Sequence, residues 1–531
     1  MKKESEIRTI SQNPGEKLLN ITVKDLMPLP CSEATSKETQ MITGEQNNHY
    51  DYSLDGVSAL ALSRPRDKEE GKRLVQSFLN GLKKLLSDQD NWTFSQPLAL
   101  SLEFCARCQT CSEVCPIYLS SGKQEIYRPI FRSELLRRIK RKYLDFGGNF
   151  ISKFTGDSIE LNWTTIARLA ELAYRCTLCG KCAQVCPMGI DNGLITREIR
   201  KLFSQELGIA PVEFHRLGTV RQLEIGSSTG ITPKAFKNTV EFMEDEIEEK
   251  IGRRIHIPVD REGADILLIH NAGEFLAWPE NPEAFAVILD SVGASWTLSS
   301  ELIGYDAVNY GAWYDDIQMA KIVMKHAQLA KYLGVKKILI GECGHAQKVL
   351  VSLGDRILPS DLNIPRINCL SFFENIISRN QLKFNPEKNN FLVTLHDPCS
   401  VVRLSGIVEP QRNILKRVCP EFREMEPHGV NNYCCGGGSG FAIIKSQGFS
   451  DWRINVAGRM KIKQIMQTFE DTNPEIRKYV CAPCSNCKSQ LRDLLSYYNI
   501  GEKYNISYTG IAELIVNAMV ETKVPWLPVQ K

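Results

Sequence analysis

The chain has 531 residues, room for two to four domains, and 43% of them are hydrophobic, so large cores can form. Its net charge of +3 argues neither for a nucleic-acid partner nor for strong electrostatic attraction to a membrane. No apolar run approaches the roughly 18–20 residues that span a bilayer.

Residues 1–95 read as a polar N-terminal extension with one helix. The opening MKKESEIRTISQNPGEK is charged and lacks an apolar core, so no secretory signal is expected and the protein is expected to be cytoplasmic. Cys31 stands alone there and is expected to ligate nothing. Leu74, Phe78, Leu79 and Leu82 fall at helical spacing and predict a helix within 68–87.

Residues 96–215 carry two copies of one cysteine pattern. Cys105, Cys108, Cys111 and Cys115 precede Pro116; 71 residues later Cys176, Cys179, Cys182 and Cys186 precede Pro187. This is the C-x2-C-x2-C-x3-C-P run of two-cluster ferredoxins, in which the fourth thiolate serves the other cluster. One [4Fe–4S] cubane is assigned to Cys105, Cys108, Cys111 and Cys186, the other to Cys176, Cys179, Cys182 and Cys115. Zinc also takes C-x2-C pairs, but two complete copies ending in Cys-Pro oppose that reading. Helices predicted over Phe131–Leu144 and Thr164–Tyr174 separate the copies, which resembles the all-helical ferredoxin domain of succinate dehydrogenase and heterodisulfide reductase subunits. The first carries Arg132, Arg137, Arg138, Lys140, Arg141 and Lys142, a solvated face or a dock for an acidic partner or anionic lipid.

Residues 216–262 read as linker helices, including an acidic one over Thr239–Ile251. The texture then becomes α/β. ADILLIH (264–270), KKILIGE (336–342), NFLVTLH (390–396) and KYVCAP (478–483) are short apolar runs, with helical stretches such as Ile317–Leu333 between them. That alternation predicts buried parallel strands.

Two halves emerge, 263–385 and 386–531, as a degenerate repeat. In the second, His396-Asp397-Pro398-Cys399, Asn432-Tyr433-Cys434-Cys435-Gly436 and Cys481-Ala482-Pro483-Cys484-Ser485-Asn486-Cys487 follow in turn. In the first, His270-Asn271-Ala272-Gly273, Asn309-Tyr310-Gly311 and Gly341-Glu342-Cys343-Gly344-His345 match them. Ligands of open α/β sheets lie at the carboxyl ends of strands, where Cys343, Cys399, Cys484 and Cys487 fall. One metal centre between facing halves is expected, built mainly by Cys399, Cys434, Cys435, Cys484 and Cys487, with Cys343 and Cys481 as further candidates. The glycines after Cys435 are expected to let backbone approach an inorganic core. His345, His396 and Glu342 are candidate proton donors, with a capping or hydrogen-bonding role as the alternative for His396 and Glu342. Cys369 and Cys419 read as buried structural thiols. Thiols grouped in this way, among 18 cysteines in all, suit a reducing compartment.

Cys399, Cys434-Cys435-Gly436 and Cys484-x2-Cys487 resemble the CCG domain of heterodisulfide reductase catalytic subunits. The gap to the C-x2-C is longer than in that family, which leaves Cys481 and Cys487 both open as the ligand beside Cys484. The layout over about 96–500, with HDPC, NYCCGGG and GECGHA, is similar to the DsrK/HmcF/TmcB family of sulfur-metabolism membrane complexes. The resemblance implies a helical ferredoxin domain followed by two Rossmann-like CCG-type half-domains, with two cubanes and one atypical [4Fe–4S] cluster. It implies electron exchange between a membrane cytochrome b or quinone-interacting subunit and a DsrC-like protein disulfide or trisulfide. The chain would then sit peripherally on the inner face of the cell membrane, held by partner subunits. The alternative is a pure electron-transfer subunit of a flavin-dependent glycolate, lactate or glycerol-3-phosphate dehydrogenase. No GxGxxG follows a strand, so the chain itself is expected to bind neither flavin nor nicotinamide.

Overall fold

The computed structural model describes residues 50–91, 94–154 and 159–527. The expectations for residues 1–49, Cys31 included, lie outside the described residues. Two compact units are formed. The first gathers the described residues up to Pro211 with Trp313–Asp315 and Cys434–Lys463; the second holds Val212–Ala312, Asp316–Tyr433 and Gln464 onward.

The first unit is helical. Its main helices are α1 (Lys68–Leu85), α2 (Ser95–Glu103), α3 (Pro129–Tyr143), α4 (Gly148–Phe154), α5 (Trp163–Ala173) and α6 (Asn192–Leu207). Their ends follow from local chemistry. Asp67 accepts from Glu70 N at the start of α1, Asn162 from Thr165 N at α5, and Asp191 from Gly193 N and Leu194 N at α6. Gly208, at φ +65°, closes α6. Phe78 of α1 packs on Phe203 of α6 with ring centroids 5.8 Å apart. Residues 50–60 are tied to this bundle by Asp55, fully buried, which meets Arg175 Nε at 2.7 Å and accepts from the Tyr127 hydroxyl at 2.7 Å.

The expectation of a solvated basic face on α3 is corrected. Arg132 is buried and donates to Thr196 Oγ1 at 2.9 Å. Arg137 is buried too, and both it and Arg138 pair with Glu134. A long bundle helix must bury some of its surface, and these arginines spend their charge inside the protein.

The second unit begins with α7 (Pro233–Ile251), capped by Thr232. Two parallel four-stranded sheets follow. In the first, β1 (Ile266–Ile269), β2 (Trp296–Thr297), β3 (Lys337–Ile340) and β4 (Arg366–Asn368) lie in the order β2-β1-β3-β4. In the second, β5 (Leu392–Leu395), β6 (Phe422–Arg423), β7 (Lys478–Cys481) and β8 (Ile506–Thr509) lie in the order β6-β5-β7-β8. Ile266 registers with Lys337 and Ile269 with Ile340; Leu392 registers with Lys478 and Leu395 with Cys481. β1, β5 and β7 are buried along their whole length, as the continuous apolar runs require of strands covered on both faces. In both sheets the strand order reverses between the two inner strands, which opens a crevice at their carboxyl ends.

Candidate iron–sulfur centres

The first unit holds the eight ferredoxin-type cysteines, and its backbone repeats itself at both motifs. Arg107 and Gln109 take positive φ (56° and 66°) in the first, Leu178 and Gly180 (50° and 73°) in the second. Non-glycine residues rarely adopt this conformation, and it recurs here at matching positions of the two cysteine runs. Cys111 has Cys105, Cys108 and Cys186 as charged neighbours, and Cys115 has Cys176 and Cys179. Burial raises the pKa of the Cys111 thiol, and the thiols of Cys105, Cys186 and Cys108 add to that. Burial pushes Cys115 up to about 12, with Cys179 and Cys176 adding, and likewise raises Cys182 beside Cys179, Cys176 and Cys115. Buried thiols of this kind stay neutral unless a metal compensates the thiolate charge, so the donor set fits an iron–sulfur core.

Cys434 and Cys435 are buried in this same unit. The glycines behind them serve close backbone packing. Gly436 sits at φ +94°, and a Cβ there would lie 2.4 Å from Gly458 N. At Gly438 a Cβ would lie 2.9 Å from Thr177 O and 3.6 Å from Cys434 Sγ. Gly438 is therefore wedged between Cys434 and the loop that carries Cys176 and Cys179. Arg200 of α6 completes the join. Its guanidinium donates to the Cys176 carbonyl at 2.7 Å, to the Ala173 carbonyl at 2.8 Å, and to the Ser439 hydroxyl. It lies over the Tyr174 ring, 4.4 Å from the centroid. Sequence reasoning missed Arg200, whose only signal is a cation inside an otherwise buried stretch of α6.

The second unit gathers the remaining candidates at the crevices of its sheets. Cys343 follows β3 and Cys484 follows β7. Donor atoms of Cys343, His345 and Cys484 lie within 4.8 Å of one another, and so do those of His396 and Cys487. Hydrogen bonds from Cys343 and Cys487 to the Cys484 sulfur, with a further one from His345, hold that thiol well below its usual range. Burial drives the Cys343 thiol the other way. Asn309 Nδ2 contacts Cys343 Sγ at 3.6 Å, and Asn432 Nδ2 faces His396 Nδ1 at 3.4 Å while donating to Asp397 O at 2.7 Å. The Asp397 carboxylate is itself bound by Arg412 at 2.6 and 2.8 Å, which fixes the loop leading to Cys399.

Other candidates take structural positions. Cys481 lies in strand β7 and packs into the apolar core with Cys369 and Cys419. Glu342 accepts from Ile511 N at 3.0 Å and Ala512 N at 2.8 Å, capping α8 (Ile511–Ala518). Burial nevertheless pushes its pKa up to about 8, with Glu513 adding. Lys488, buried one residue after Cys487, meets Glu274 at 3.2 Å and Glu513 at 3.6 Å.

Residues 101–190 match the 4Fe-4S dicluster domain, and residues 393–492 match the cysteine-rich CCG domain. The chain is 24% identical to the Hdr-like menaquinol oxidoreductase iron-sulfur subunit 2 of Archaeoglobus fulgidus over 84% of its own length and 83% of the relative's. It is 26% identical to a dihydromethanophenazine:CoB--CoM heterodisulfide reductase component of Methanosarcina acetivorans, over 74% and 89%. A probable membrane-anchored ferredoxin of Chromohalobacter salexigens is 22% identical over 84% of this chain and 65% of that one. No solved structure matches. The fold, the thiol sets and these likenesses define an iron–sulfur oxidoreductase component. Within that class the chain is similar to heterodisulfide-reductase-like iron–sulfur subunits, with a 4Fe-4S dicluster match followed by a CCG match. Among the described residues no helix is long and apolar enough to cross a membrane.

Proposed function

We propose that this chain is the iron–sulfur subunit of a membrane-associated redox complex. It exchanges electrons between a quinone or cytochrome partner and a DsrC-like protein disulfide or trisulfide. The observation that carries the reading is the convergence of Cys343, His345 and Cys484, with Cys487 hydrogen-bonded to the same sulfur, at the carboxyl ends of inner strands. A conduit needs only closed cysteine sets, whereas this cluster of thiols and an imidazole offers ligands together with a proton carrier. The two α/β sheets would be halves of one degenerate repeat, and their shared strand order supports this.

Two cubanes would be held by the ferredoxin cysteines. A third, atypical [4Fe–4S] cluster would take its ligands from Cys399, Cys434, Cys435, Cys484, Cys487 and Cys343. When bound, such a cluster supplies one-electron steps and an iron site for a substrate sulfur. The protein's share is positional. Arg200 and Gly438 keep Cys434 beside the Cys176 loop, so a cluster held by that loop would lie near the CCG pair. Tyr433 joins Cys434 directly to the chain that bears Asn432, and Asn432 orients His396. His345 would hold the proton that a departing thiolate needs.

The test is anaerobic EPR with iron and sulfide quantification on the oxidised protein, with and without a DsrC-type protein thiol. About twelve irons per chain, for three [4Fe–4S] clusters, and a paramagnetic signal that changes with the thiol are expected. About eight irons in folded protein, or a third signal indifferent to the thiol, would leave a conduit and overturn the reading.

A further inference from the structure

The first unit exposes an apolar face that its fold does not use. Phe146 is 104% exposed, Phe154 76%, Phe150 68% and Ile151 53%. The three phenylalanines recur every four residues, along the turn before α4 and α4 itself, and the Phe150 and Phe154 rings lie 5.0 Å apart. Leu100 and Phe104 at the end of α2 are 56% and 57% exposed. They belong to the same face. Lys140 Nζ bonds Glu103 at 2.7 Å and Asp145 at 3.0 Å, so Phe104 and Phe146 each follow a carboxylate held by one ammonium. Soluble proteins rarely leave several large aromatics together in water, and such patches mark interaction sites.

The charges around the patch select its occupant. Arg141 and Lys142 lie on the last turn of α3 and Lys153 on α4. The acids beside the patch, Glu103 and Asp145, are both taken up by Lys140. Arg141 and Lys153 are exposed. Aromatic side chains flanked by cations match a bilayer surface, where rings enter the acyl boundary and cations meet anionic headgroups. Fluid acyl chains also accept three protruding rings without a preformed pocket.

We infer that the face formed by Phe104, Phe146, Phe150 and Phe154 docks this chain directly on an anionic phospholipid bilayer. Phe104 precedes Cys105, so docking there would bring the Cys105, Cys108, Cys111 and Cys186 set to the membrane side. The second cubane would then lie on the side of Cys434. The inference rests on the proposed membrane association and adds a lipid contact to the partner contact. Its readout is independent of the thiol-linked EPR signal, so either can fail alone.

The experiment is anaerobic flotation of the cluster-loaded chain with phosphatidylcholine vesicles, with and without 25 to 30 mole per cent phosphatidylglycerol (roughly the anionic content that makes a surface attract cations). Wild type is expected to float with the anionic vesicles and several-fold less with the neutral ones. The double variant Phe150→Ser/Phe154→Ser should lose on the order of ten-fold in partitioning. Phe242→Ser, an exposed phenylalanine in the second unit, should float like wild type. Visible cluster absorbance monitors folding, and the substituted rings are solvent-exposed, so the fold should persist. Wild type that ignores both vesicles, or a double variant that floats as well as wild type, overturns the inference. Footprinting protection of 146–154 only in membranes that contain the partner subunits would also overturn it, in favour of a protein contact.

Discussion

Cys343 and Cys484 occupy the same place in two different sheets. Each lies three residues beyond an inner strand, in extended conformation (φ −155°, ψ 114° and φ −166°, ψ 118°), and caps the helix that follows. The backbone N–H of each bonds the carbonyl two residues back, at 2.7 and 2.6 Å. Identical local geometry at matching crevices aims both sulfurs at one point. Cys343→Ala should remove one of the hydrogen bonds that hold Cys484 low. Disulfide-reducing activity is expected to fall on the order of 100-fold while the ferredoxin-type clusters keep their iron. Steady-state assay alongside iron quantification checks this; unchanged activity would assign Cys343 to packing.

Arg200 is the second lever. It is fully buried and binds two carbonyls of the cubane loop together with the Ser439 hydroxyl. Lysine keeps the charge but cannot form the fork. Arg200→Lys should destabilise the first unit by about 2–4 kcal/mol, from buried carbonyls left unsatisfied, and slow reduction of the CCG centre by the second cubane. Freeze-quench EPR after mixing with a one-electron donor reads the rate separately from stability.

The two cysteine runs made the dicluster domain legible, because C-x2-C-x2-C-x3-C-P spacing is particular to such ferredoxins. The strands were legible because ILLI and LVTL are near-continuous apolar runs, as strands covered on both faces require, whereas the burial of Lys478 in KYVC was not. Arg132 and Arg137 were not, since burial of a cation depends on a distant partner such as Thr196 that no local period reveals. The glycines after Cys435 were read as letting backbone approach an inorganic core, whereas the close approaches found at Gly436 and Gly438 are to other backbone. Their neighbours, Gly458 and Thr177, come from distant parts of the chain and could not be read from the motif.

Cys481 and Cys487 can be separated by iron content. Cys481 packs against an apolar core inside a strand, whereas Cys487 hydrogen-bonds Cys484 on the first turn of its helix. Cys481→Ala should retain about twelve irons and Cys487→Ala about eight, one [4Fe–4S] cluster fewer. Mössbauer spectroscopy on the enriched proteins distinguishes the two results. The reverse pattern would make Cys481 the ligand.

Glu342 tests capping against proton delivery. Its carboxylate accepts from two N–H groups at the start of α8. Glu342→Gln keeps an acceptor oxygen there and should preserve turnover, whereas Glu342→Ala should cost about 1–2 kcal/mol through the lost cap. A glutamine variant that folds normally but has no activity would make Glu342 a proton donor.

His326 should make the second unit acid-sensitive. It is buried in the helix Asp316–Tyr332, and burial lowers its pKa to about 4, a hydrogen bond with the Gly304 backbone opposing only part of the shift. In the unfolded chain the imidazole titrates near 6.5, at its ordinary value. Below that pH the unfolded state binds the extra proton and the folded state does not, so this contribution is complete above about pH 6.5 and lost as the pH falls toward 4. At pH 5 the loss amounts to about 2 kcal/mol. Asp306, raised to about 6 mainly by burial, works in the opposite direction over part of the same window, so absolute acid profiles mix the two. Comparing wild type with His326→Gln at pH 7 and pH 5 isolates the imidazole. Anaerobic denaturant unfolding should give wild type the larger loss between the two pH values; equal losses would place the acid sensitivity elsewhere.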